Sequence, residues 1–239
     1  VGTGDAGADL GERLPLGTLR RAARLGHWVC ENAKTTRAFL KRVDAVCQLE
    51  RPLQQIAIVE LPRPPKGRAD MATFAGDRLL APALAGDDLG LISEAGLPAV
   101  ADPGALLVAA AHAAGIRVVA LPGASSITLA VAASGLNGQS FAFVGYLPIE
   151  ADARAARIRE LETTSRRLAQ TQVAIETPYR NSALLAALLA QLQAKTVLSV
   201  SVGLTLAAES TRSEPVERWR ADPESLPADV PAVFSFLAR

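Results

Sequence analysis

Two loops rich in glycine and proline hold the residues of this sequence best suited to chemistry. One follows the run Leu89–Ser93 and reads Glu94-Ala95-Gly96-Leu97-Pro98, and the other follows Ile116–Leu121 and reads Pro122-Gly123-Ala124-Ser125-Ser126. Glycine lets a ligand approach the backbone closely, and proline stiffens the segment. Glu94 adds a carboxylate that could orient hydroxyl or amine groups. From composition alone, a binding site and a pair of ordinary tight turns are equally good interpretations.

The segments around these loops predict a repeating strand–loop–helix unit. The short runs have the length and β-branched content of strands, and the alanine-rich runs that follow have the length of helices. Asp102 and Pro103 suit the N-cap and first residue of one helix, and Gly115 suits its C′ position. Ser125 or Ser126 can cap the next helix, which Gly135 can end. The pattern predicts a parallel α/β sheet, in which the loops after the strands line the ligand crevice.

The same stretch resembles the tetrapyrrole methylase superfamily, and within it the branch of ribosomal RNA small subunit methyltransferase I. The likeness rests on three blocks in this order and spacing: Leu91–Gly104, Gly115–Gly123 and Ala133–Leu136. It implies an S-adenosylmethionine-dependent methyltransferase made of two α/β domains with the cofactor cleft between them, usually as a homodimer. We place the N-terminal domain at residues 1–147 and the C-terminal domain at 148–239. Val1–Asp5 resembles the end of the superfamily's first strand, the rest of which is missing here.

The resemblance also implies the residues of the site. The cofactor-binding set is Glu94, Ala95, Gly96, Pro98, Ser125, Ser126, Tyr146, Leu147, Glu176, Leu204, Pro231 and Ala232. The substrate-binding set is Gly4, Asp5, Lys34 and Arg180. A hydroxyl acceptor would be helped by a base, for which Glu31 and Glu94 are the candidates and Glu31 the one we choose, although structural hydrogen bonding is an alternative role for each. No metal ion is expected.

Departures from the branch's pattern leave three functions open. Where the branch carries Glu-Asp-Thr-Arg, this chain keeps Glu31 but has Asn32-Ala33-Lys34, and farther on Gly203 and Leu206 replace charged residues. Arginine and lysine are not equivalent where phosphate is gripped bidentately. The first hypothesis is methylation of a ribose 2′-hydroxyl of ribosomal RNA. The alternatives are methylation of a porphyrin or corrin, and a catalytically silent relative that binds the cofactor.

Composition and charge favour a cytoplasmic protein without an obligatory nucleic-acid surface. The formal net charge is only +1, and the two cysteines lack metal-ligand spacing, so we expect reduced thiols. No apolar run reaches membrane-spanning length without charges or glycine, so no membrane partner is expected. The arginine-rich segment Ala153–Leu168 is more typical of a solvated helix face than of an RNA surface.

The remaining segments extend the alternation. Helices are predicted at Leu16–Leu25, Asn32–Leu40, Met71–Leu84, Ala153–Leu168 and Ser182–Leu192, and strands at His27–Glu31, Phe141–Leu147, Gln172–Glu176, Val197–Val202, Val216–Arg220 and Pro231–Leu237. Gly2–Gly7 fits the dinucleotide pattern G-x-G-x-x-G, but that pattern requires a preceding strand. A nicotinamide cofactor is therefore the least favoured hypothesis.

Overall fold

The computed structural model describes residues 10–62 and 76–239. The chain divides into two compact units, Val1–Ala124 and Ser125–Arg239. Gly4, Asp5 and the Gly2–Gly7 pattern lie outside the described residues, as do residues 71–75 of the predicted helix Met71–Leu84. Within the described ranges, no helix combines the length and apolar character that crossing a membrane requires.

In its described residues, 10–62 and 76–124, the first unit is a three-stranded parallel sheet with helices. Its elements are α1 (Leu16–Arg24), β1 (His27–Cys30), α2 (Ala33–Val46), β2 (Ala57–Glu60), α3 (Gly76–Leu84), β3 (Leu89–Ile92) and α4 (Ala105–Ala113), with 3-10 turns at Leu10–Glu12 and Leu53–Gln55. The strand order is β2-β1-β3, and β1 pairs in parallel with both neighbours. Trp28, Val29 and Cys30 of β1 are all buried, as is usual for the central strand of a parallel sheet covered on both faces.

Gly90 of β3 shows how side chains pack in this sheet. A Cβ atom at position 90 would lie 2.7 Å from Cε3 of Trp28 and 2.8 Å from Cδ1 of Leu25. Since glycine has no Cβ, the indole ring can pack closely against the backbone of β3. Trp28 also makes an edge contact with Phe39 of α2, with ring centroids 6.4 Å apart. The aromatic pair anchors α2 on this face of the sheet.

The second unit is a five-stranded mixed sheet. Its elements are α5 (Ser126–Ser134), β4 (Phe141–Tyr146), α6 (Ala151–Leu168), β5 (Thr171–Glu176), α7 (Asn181–Gln191), β6 (Val197–Val202), β7 (Ser210–Pro215), α8 (Val216–Ala221) and β8 (Ala232–Leu237), with a 3-10 turn at Pro178–Arg180. The order is β4-β5-β8-β6-β7, in which only β4 and β5 pair in parallel. Its main core includes Trp219, Phe234 and Phe236, all fully buried.

The predicted elements are largely present, with three corrections. Asp102 does not cap a helix, because α4 begins at Ala105 after Gly104, whose φ is +128°. Ile116–Leu121 forms no strand: it pairs with no strand in residues 10–62 and 76–239, and Val118 and Val119 are 40% and 47% exposed. Val216–Arg220 is not a strand but belongs to α8. Its buried residues, Val216 and Trp219, are three positions apart, which is helical spacing.

Two further features differ from the sequence-based interpretation. Strand β7, Ser210–Pro215, was not predicted, since its polar sequence belongs to a sheet edge and buries no residue completely. The compact units separate at Ala124/Ser125, 23 residues before the predicted boundary at Leu147/Pro148. The reason is packing: Ile127, Ala130 and Val131 of α5 form a buried cluster with Val173 of β5 and Val233 of β8.

Candidate functional site

A pocket of about 140 Å³ lies in the first unit, where β1 and β3 end. Its walls come from α1, from the start of α2, from the loop after β3 and from the segment Leu121–Gly123. The lining residues are Leu14, Thr18, Ala22, Trp28, Glu31, Asn32, Thr35, Thr36, Phe39, Leu91, Ile92, Ser93, Glu94, Gly96, Leu97, Pro98, Leu121, Pro122 and Gly123. Parallel α/β sheets bind ligands at this end of their strands.

Three residues on the polar side of the pocket, Glu31, Thr35 and Glu94, are linked by short hydrogen bonds. Glu31 Oε2 accepts the backbone N–H of Glu94 at 2.7 Å. The Thr35 hydroxyl donates to Glu94 Oε1 at 2.6 Å. The ends of β1 and β3 are adjacent because Cys30 and Ile92 are register partners. The sheet register therefore brings together residues that are 63 positions apart in sequence.

The first turn of α2 is held in place beside this group. The Asn32 side chain is the N-cap and accepts the backbone N–H of Lys34 at 2.9 Å and of Thr35 at 3.3 Å. Glu60 Oε1, at the end of β2, accepts the N–H of Ala33 at 2.7 Å. Asparagine is as good an N-cap as aspartate, so this departure from the branch's pattern preserves the local fold. The fixed turn presents Thr35 to Glu94.

The loop between β3 and α4 has an unusual backbone. Gly96 and Gly104 have φ of +79° and +128°, and the non-glycine residues Ala99 and Ala101 have φ of +66° and +62°. Such strained positions concentrate at functional sites. Burial raises the pKa of the Asp102 carboxyl in this loop; a hydrogen bond from Ser93 opposes the rise, and the Glu31 carboxylate adds to it. The loop thus places a third acidic group near Glu31.

Glycine keeps the opposite wall of the pocket open. A Cβ atom at Gly123 would lie 3.2 Å from Leu14 Cδ2 and 3.9 Å from Leu97 Cδ2. The Thr18 hydroxyl of α1 donates to the carbonyl oxygen of Pro122 at 2.7 Å, which ties this segment to the helix. Any larger side chain at position 123 would therefore crowd the apolar wall.

The acidic side chains of the pocket determine which ligand charges it can accept. Two carboxylates, Glu31 and Glu94, line it, and none of its described lining residues is lysine or arginine. An anionic phosphate would find no cation here, whereas a neutral or cationic ligand would be favoured. No group of three or more histidine, cysteine or acidic residues in the described ranges could hold a metal ion. The arrangement suits an organic ligand carrying hydroxyl, amine or cationic groups.

The structure brings part of the implied site together in the first unit. Glu31, Glu94, Gly96 and Pro98 line the pocket, and Ala95 belongs to the same loop. Lys34 lies on the exposed face of α2 and is not among the lining residues. Sequence reasoning missed Thr35, and the N-cap at Asn32 was the signal that would have placed it beside a strand end. Trp28 and Phe39 were also missed, because apolar residues in a strand and a helix suggest only core.

The implied residues of the second unit gather at one end of its sheet. Tyr146 ends β4 and is register partner to Ile175, while Glu176 ends β5 opposite Ala232. The N–H of Gly203 donates to the carbonyl oxygen of Pro231 at 2.9 Å, which brings Leu204 to the same end. The remaining implied residues differ in exposure: Leu147 and Ser125 are buried, whereas Ser126 is exposed.

Arg180 in this group is engaged by a neighbour. Its guanidinium Nη2 lies 3.2 Å from Glu176 Oε2, and the Glu176 side chain is only 3% exposed. Glu176 also accepts the N–H of Thr177 at 2.8 Å. Close by, Asn181 is 1% exposed and donates from Nδ2 to the carbonyl oxygen of Val230 at 2.9 Å. The sequence left open whether Arg180 binds substrate or pairs with Glu176, and the structure contains the ion pair.

The first unit has a carboxylate-lined pocket at the ends of the strands of a parallel sheet. This arrangement is typical of α/β proteins that bind ligands or catalyse reactions at that edge of the sheet. Within that class, residues 11–218 match the family described as Tetrapyrrole (Corrin/Porphyrin) Methylases. This match covers most of the chain, which therefore belongs to the tetrapyrrole methylase family.

Relatives and solved structures agree with this assignment. The chain is 44% identical over 92 residues to a ribosomal RNA small subunit methyltransferase I from Xylella fastidiosa, covering 38% of this chain and 34% of that one. It is 36% identical over 139 residues to the protein of that name from Mesorhizobium japonicum, covering 58% and 46%. The chain thus spans less than half the length of each of these relatives.

Two solved structures share the fold at lower identity. The first is the methyltransferase CobJ, with a TM-score of 0.55 and 16% identity, covering 94% of this chain and 87% of that one. The second is a uroporphyrin-III-C-methyltransferase from Thermus thermophilus, with a TM-score of 0.52 and 22% identity, covering 97% of this chain and 91% of that one. These likenesses confirm the α/β fold class that the sequence predicted.

Proposed function

We propose that this protein is an S-adenosylmethionine-dependent methyltransferase that acts on ribosomal RNA, at a ribose 2′-hydroxyl. The observation that carries the proposal is the pocket at the ends of β1 and β3, where Glu31 fixes the backbone of Glu94 beside the glycine loops. Family membership and the names of the relatives support both the reaction and the RNA substrate.

The residues of the pocket fit this cofactor. When bound, S-adenosylmethionine supplies a methyl group from a positively charged sulfonium centre. The pocket offers two carboxylates and an apolar wall kept open at Gly123, and its lining, as far as the chain is described, includes no phosphate-binding cation. Its volume of about 140 Å³ is smaller than the roughly 300–1,000 Å³ that encloses a drug-sized ligand, so we infer that it takes one part of the cofactor.

The chain's own residues contribute mainly position and charge. Transfer of a methyl group needs reactants in line at short distance, and orientation alone can supply about 7–11 kcal/mol. Thr35 and Glu31 hold Glu94 from two sides and so fix the loop that carries Gly96 and Pro98. For a hydroxyl acceptor, we assign Glu31, a carboxylate that lines the pocket, as the base that takes the proton, a role that requires the hydroxyl to bind within hydrogen-bond reach of it.

The other parts of the proposal follow from the same assignment. In the second unit, the proposed cofactor contacts are Ser125, Ser126, Tyr146, Leu147, Glu176, Leu204, Pro231 and Ala232, with Arg180 as a substrate contact once released from Glu176. Gly4, Asp5 and Lys34 are proposed substrate contacts. We also propose a cytoplasmic homodimer, in agreement with a ribosomal substrate and with two free cysteines.

One experiment separates this proposal from its alternatives. The full chain is incubated with methyl-tritiated S-adenosylmethionine and, in separate reactions, purified small ribosomal subunits, naked small-subunit RNA, or uroporphyrinogen III. We expect label in RNA, resistant to alkaline hydrolysis at the modified nucleotide because a methylated 2′-oxygen cannot attack its phosphate. Label in the macrocycle alone would establish the porphyrin alternative. Binding of S-adenosylhomocysteine without transfer to any acceptor would establish a silent relative.

A further inference from the structure

A stripe of three basic side chains runs along the exposed face of α2. Lys34, Arg37 and Lys41 are spaced by three and four residues, which places them on one side of the helix. All three are exposed, and within the described parts of the chain none forms an ion pair or a side-chain hydrogen bond. Three neighbouring cations that form no ion pair within the described ranges favour a multivalent anion as ligand.

Positive charge is concentrated in this helix and not in the chain as a whole. Helix α2 has four basic residues and one acidic residue, Asp44. The whole chain has 25 basic and 24 acidic residues, which leaves 21 basic and 23 acidic residues elsewhere. The stripe therefore stands out against a slightly acidic remainder. The net charge of +1, read alone, conceals this local feature.

The stripe and the pocket share α2 but lie on its opposite faces. Thr35, Thr36 and Phe39 line the pocket, whereas the basic residues point away from it. A helix with side chains is about 10–12 Å wide, and seven residues of helix extend about 10 Å. A macrocycle or single nucleoside in the pocket would not reach the stripe. A polynucleotide with one residue at the pocket is long enough to reach the stripe across the width of the helix.

Resting on the proposed function, we propose that Lys34, Arg37 and Lys41 bind the sugar-phosphate backbone of single-stranded RNA beside the nucleotide presented to the pocket. Lysine and arginine bind phosphates through charge and donated hydrogen bonds. The exposed residue among them is the small Ala38, so the stripe lacks the large apolar groups with which amphipathic helices enter membranes. Binding here is insensitive to sequence and supplies affinity, whereas the pocket selects the acceptor.

The test compares two variants of equal charge. One is Lys34→Gln/Arg37→Gln/Lys41→Gln, and the matched control is Arg167→Gln/Lys195→Gln/Arg218→Gln, three exposed basic residues of the second unit without ion pairs. Affinity for a fluorescein-labelled 20-nucleotide single-stranded RNA is measured by anisotropy between 50 and 200 mM KCl. The logarithm of the affinity falls linearly with the logarithm of the KCl concentration, and the loss of three phosphate contacts should reduce the steepness of this line, the salt slope, by about 2. Over this range the wild type should therefore lose about 20-fold more affinity than the stripe variant. The control should keep the wild-type slope.

Several results would overturn the inference. They are no measurable RNA binding by the wild type, equal slopes for the wild type and the stripe variant, or equal losses in both variants. Loss of binding to phosphatidylserine vesicles or polyglutamate with RNA binding intact would reassign the stripe to another partner. Titration with S-adenosylhomocysteine distinguishes failure of this inference from failure of the proposed function. If the wild type binds S-adenosylhomocysteine but the stripe substitutions leave RNA affinity unchanged, only this inference is refuted. If the wild type does not bind S-adenosylhomocysteine, the proposed function is refuted.

Discussion

Glu31 accepts the backbone N–H of Glu94 at 2.7 Å, and this contact extends the pairing of β1 and β3 to the residues that follow the two strands. Because the acceptor is a side-chain carboxylate and the donor is main chain, the bond fixes the position of the loop and not only of one side chain. Glu94 in turn accepts from Thr35 at 2.6 Å. Glu94 is thus held both at its backbone N–H and at its side-chain carboxylate, and a residue fixed in this way can meet a ligand without reorganising, which lowers the cost of binding.

Substitution of Glu31 separates a positioning role from a role as base. Glu31→Gln keeps an oxygen that can accept the Glu94 N–H but cannot take a proton, whereas Glu31→Ala removes both functions. We expect both variants to lose about 10²–10⁴-fold in the rate of methyl transfer to RNA. Only Glu31→Ala should also weaken S-adenosylhomocysteine binding. Near-normal rates in Glu31→Gln, with an unchanged pH profile, would assign Glu31 to positioning alone.

Removal of the Thr35 hydroxyl should loosen the same loop. Thr35→Val keeps the shape of the side chain but leaves Glu94 Oε1 without this donor. Because a hydrogen bond to a charged group contributes about 1.5–3 kcal/mol, we expect a loss of about 1–2 kcal/mol in the free energy of unfolding, measured by urea denaturation. Thr35→Ser keeps the hydroxyl and serves as control. Unchanged stability of Thr35→Val would show that the hydrogen bond does not matter, and a loss seen only in Thr35→Ser would show that the methyl group matters instead.

Asp102 should make stability depend on pH in an unusual direction. Burial raises the pKa of its carboxyl, with Glu31 adding to the rise and Ser93 opposing it. The folded protein then holds the proton more tightly than the unfolded chain, so stability falls as pH rises through the raised pKa. Asp102→Asn cannot ionise and should melt at a higher temperature than the wild type at pH 7. That difference should vanish below the ordinary aspartate pKa; a difference independent of pH would contradict the prediction.

Replacement of either of two buried serines in the second sheet should increase the stability of the protein. Ser199 and Ser235 are register partners, each 1% exposed, and neither hydroxyl has a hydrogen-bond partner among the residues that the structure describes. Ser199→Ala and Ser235→Ala should each raise the free energy of unfolding by about 1 kcal/mol, since an unpaired buried hydroxyl is costly. Ser213→Ala is the control, because its hydroxyl donates to the carbonyl oxygen of Ser134 at 2.6 Å and its loss should destabilise. Destabilisation by both single variants would indicate that the two serines bond to each other.

The sequence predicted those elements in which local signals agree with the tertiary structure. The helix Ser126–Ser134, with Gly135 in the left-handed conformation at its end, and the strand Val197–Val202 were confirmed. The errors came where tertiary contacts decide. Ile116–Leu121 has strand-like residues but pairs with no strand in the described part of the chain, and β7 has polar residues yet pairs with β6 along its full length.

The sequence could predict those residues of the candidate site that stand together in one loop, but not the contacts between residues of different segments. Gly96 and Glu94 are visible in sequence because glycine and an acidic residue follow a strand-like run. The bond between Glu31 and Glu94 depends on the register of β1 with β3, which no local pattern encodes. Thr35 belongs to the site because α2 begins where it does. Neither the register nor this packing follows from composition or periodicity.

The measurement that tests the central claim most directly is calorimetric titration of the full chain with S-adenosylhomocysteine. We expect saturable binding of one molecule per chain, and weakening by at least about tenfold in Gly123→Val, whose side chain would crowd the wall formed by Leu14 and Leu97. A parallel titration with NAD should give no binding heat. Absence of S-adenosylhomocysteine binding by the folded wild type, or undiminished binding by Gly123→Val, would contradict the assignment of this pocket to the cofactor.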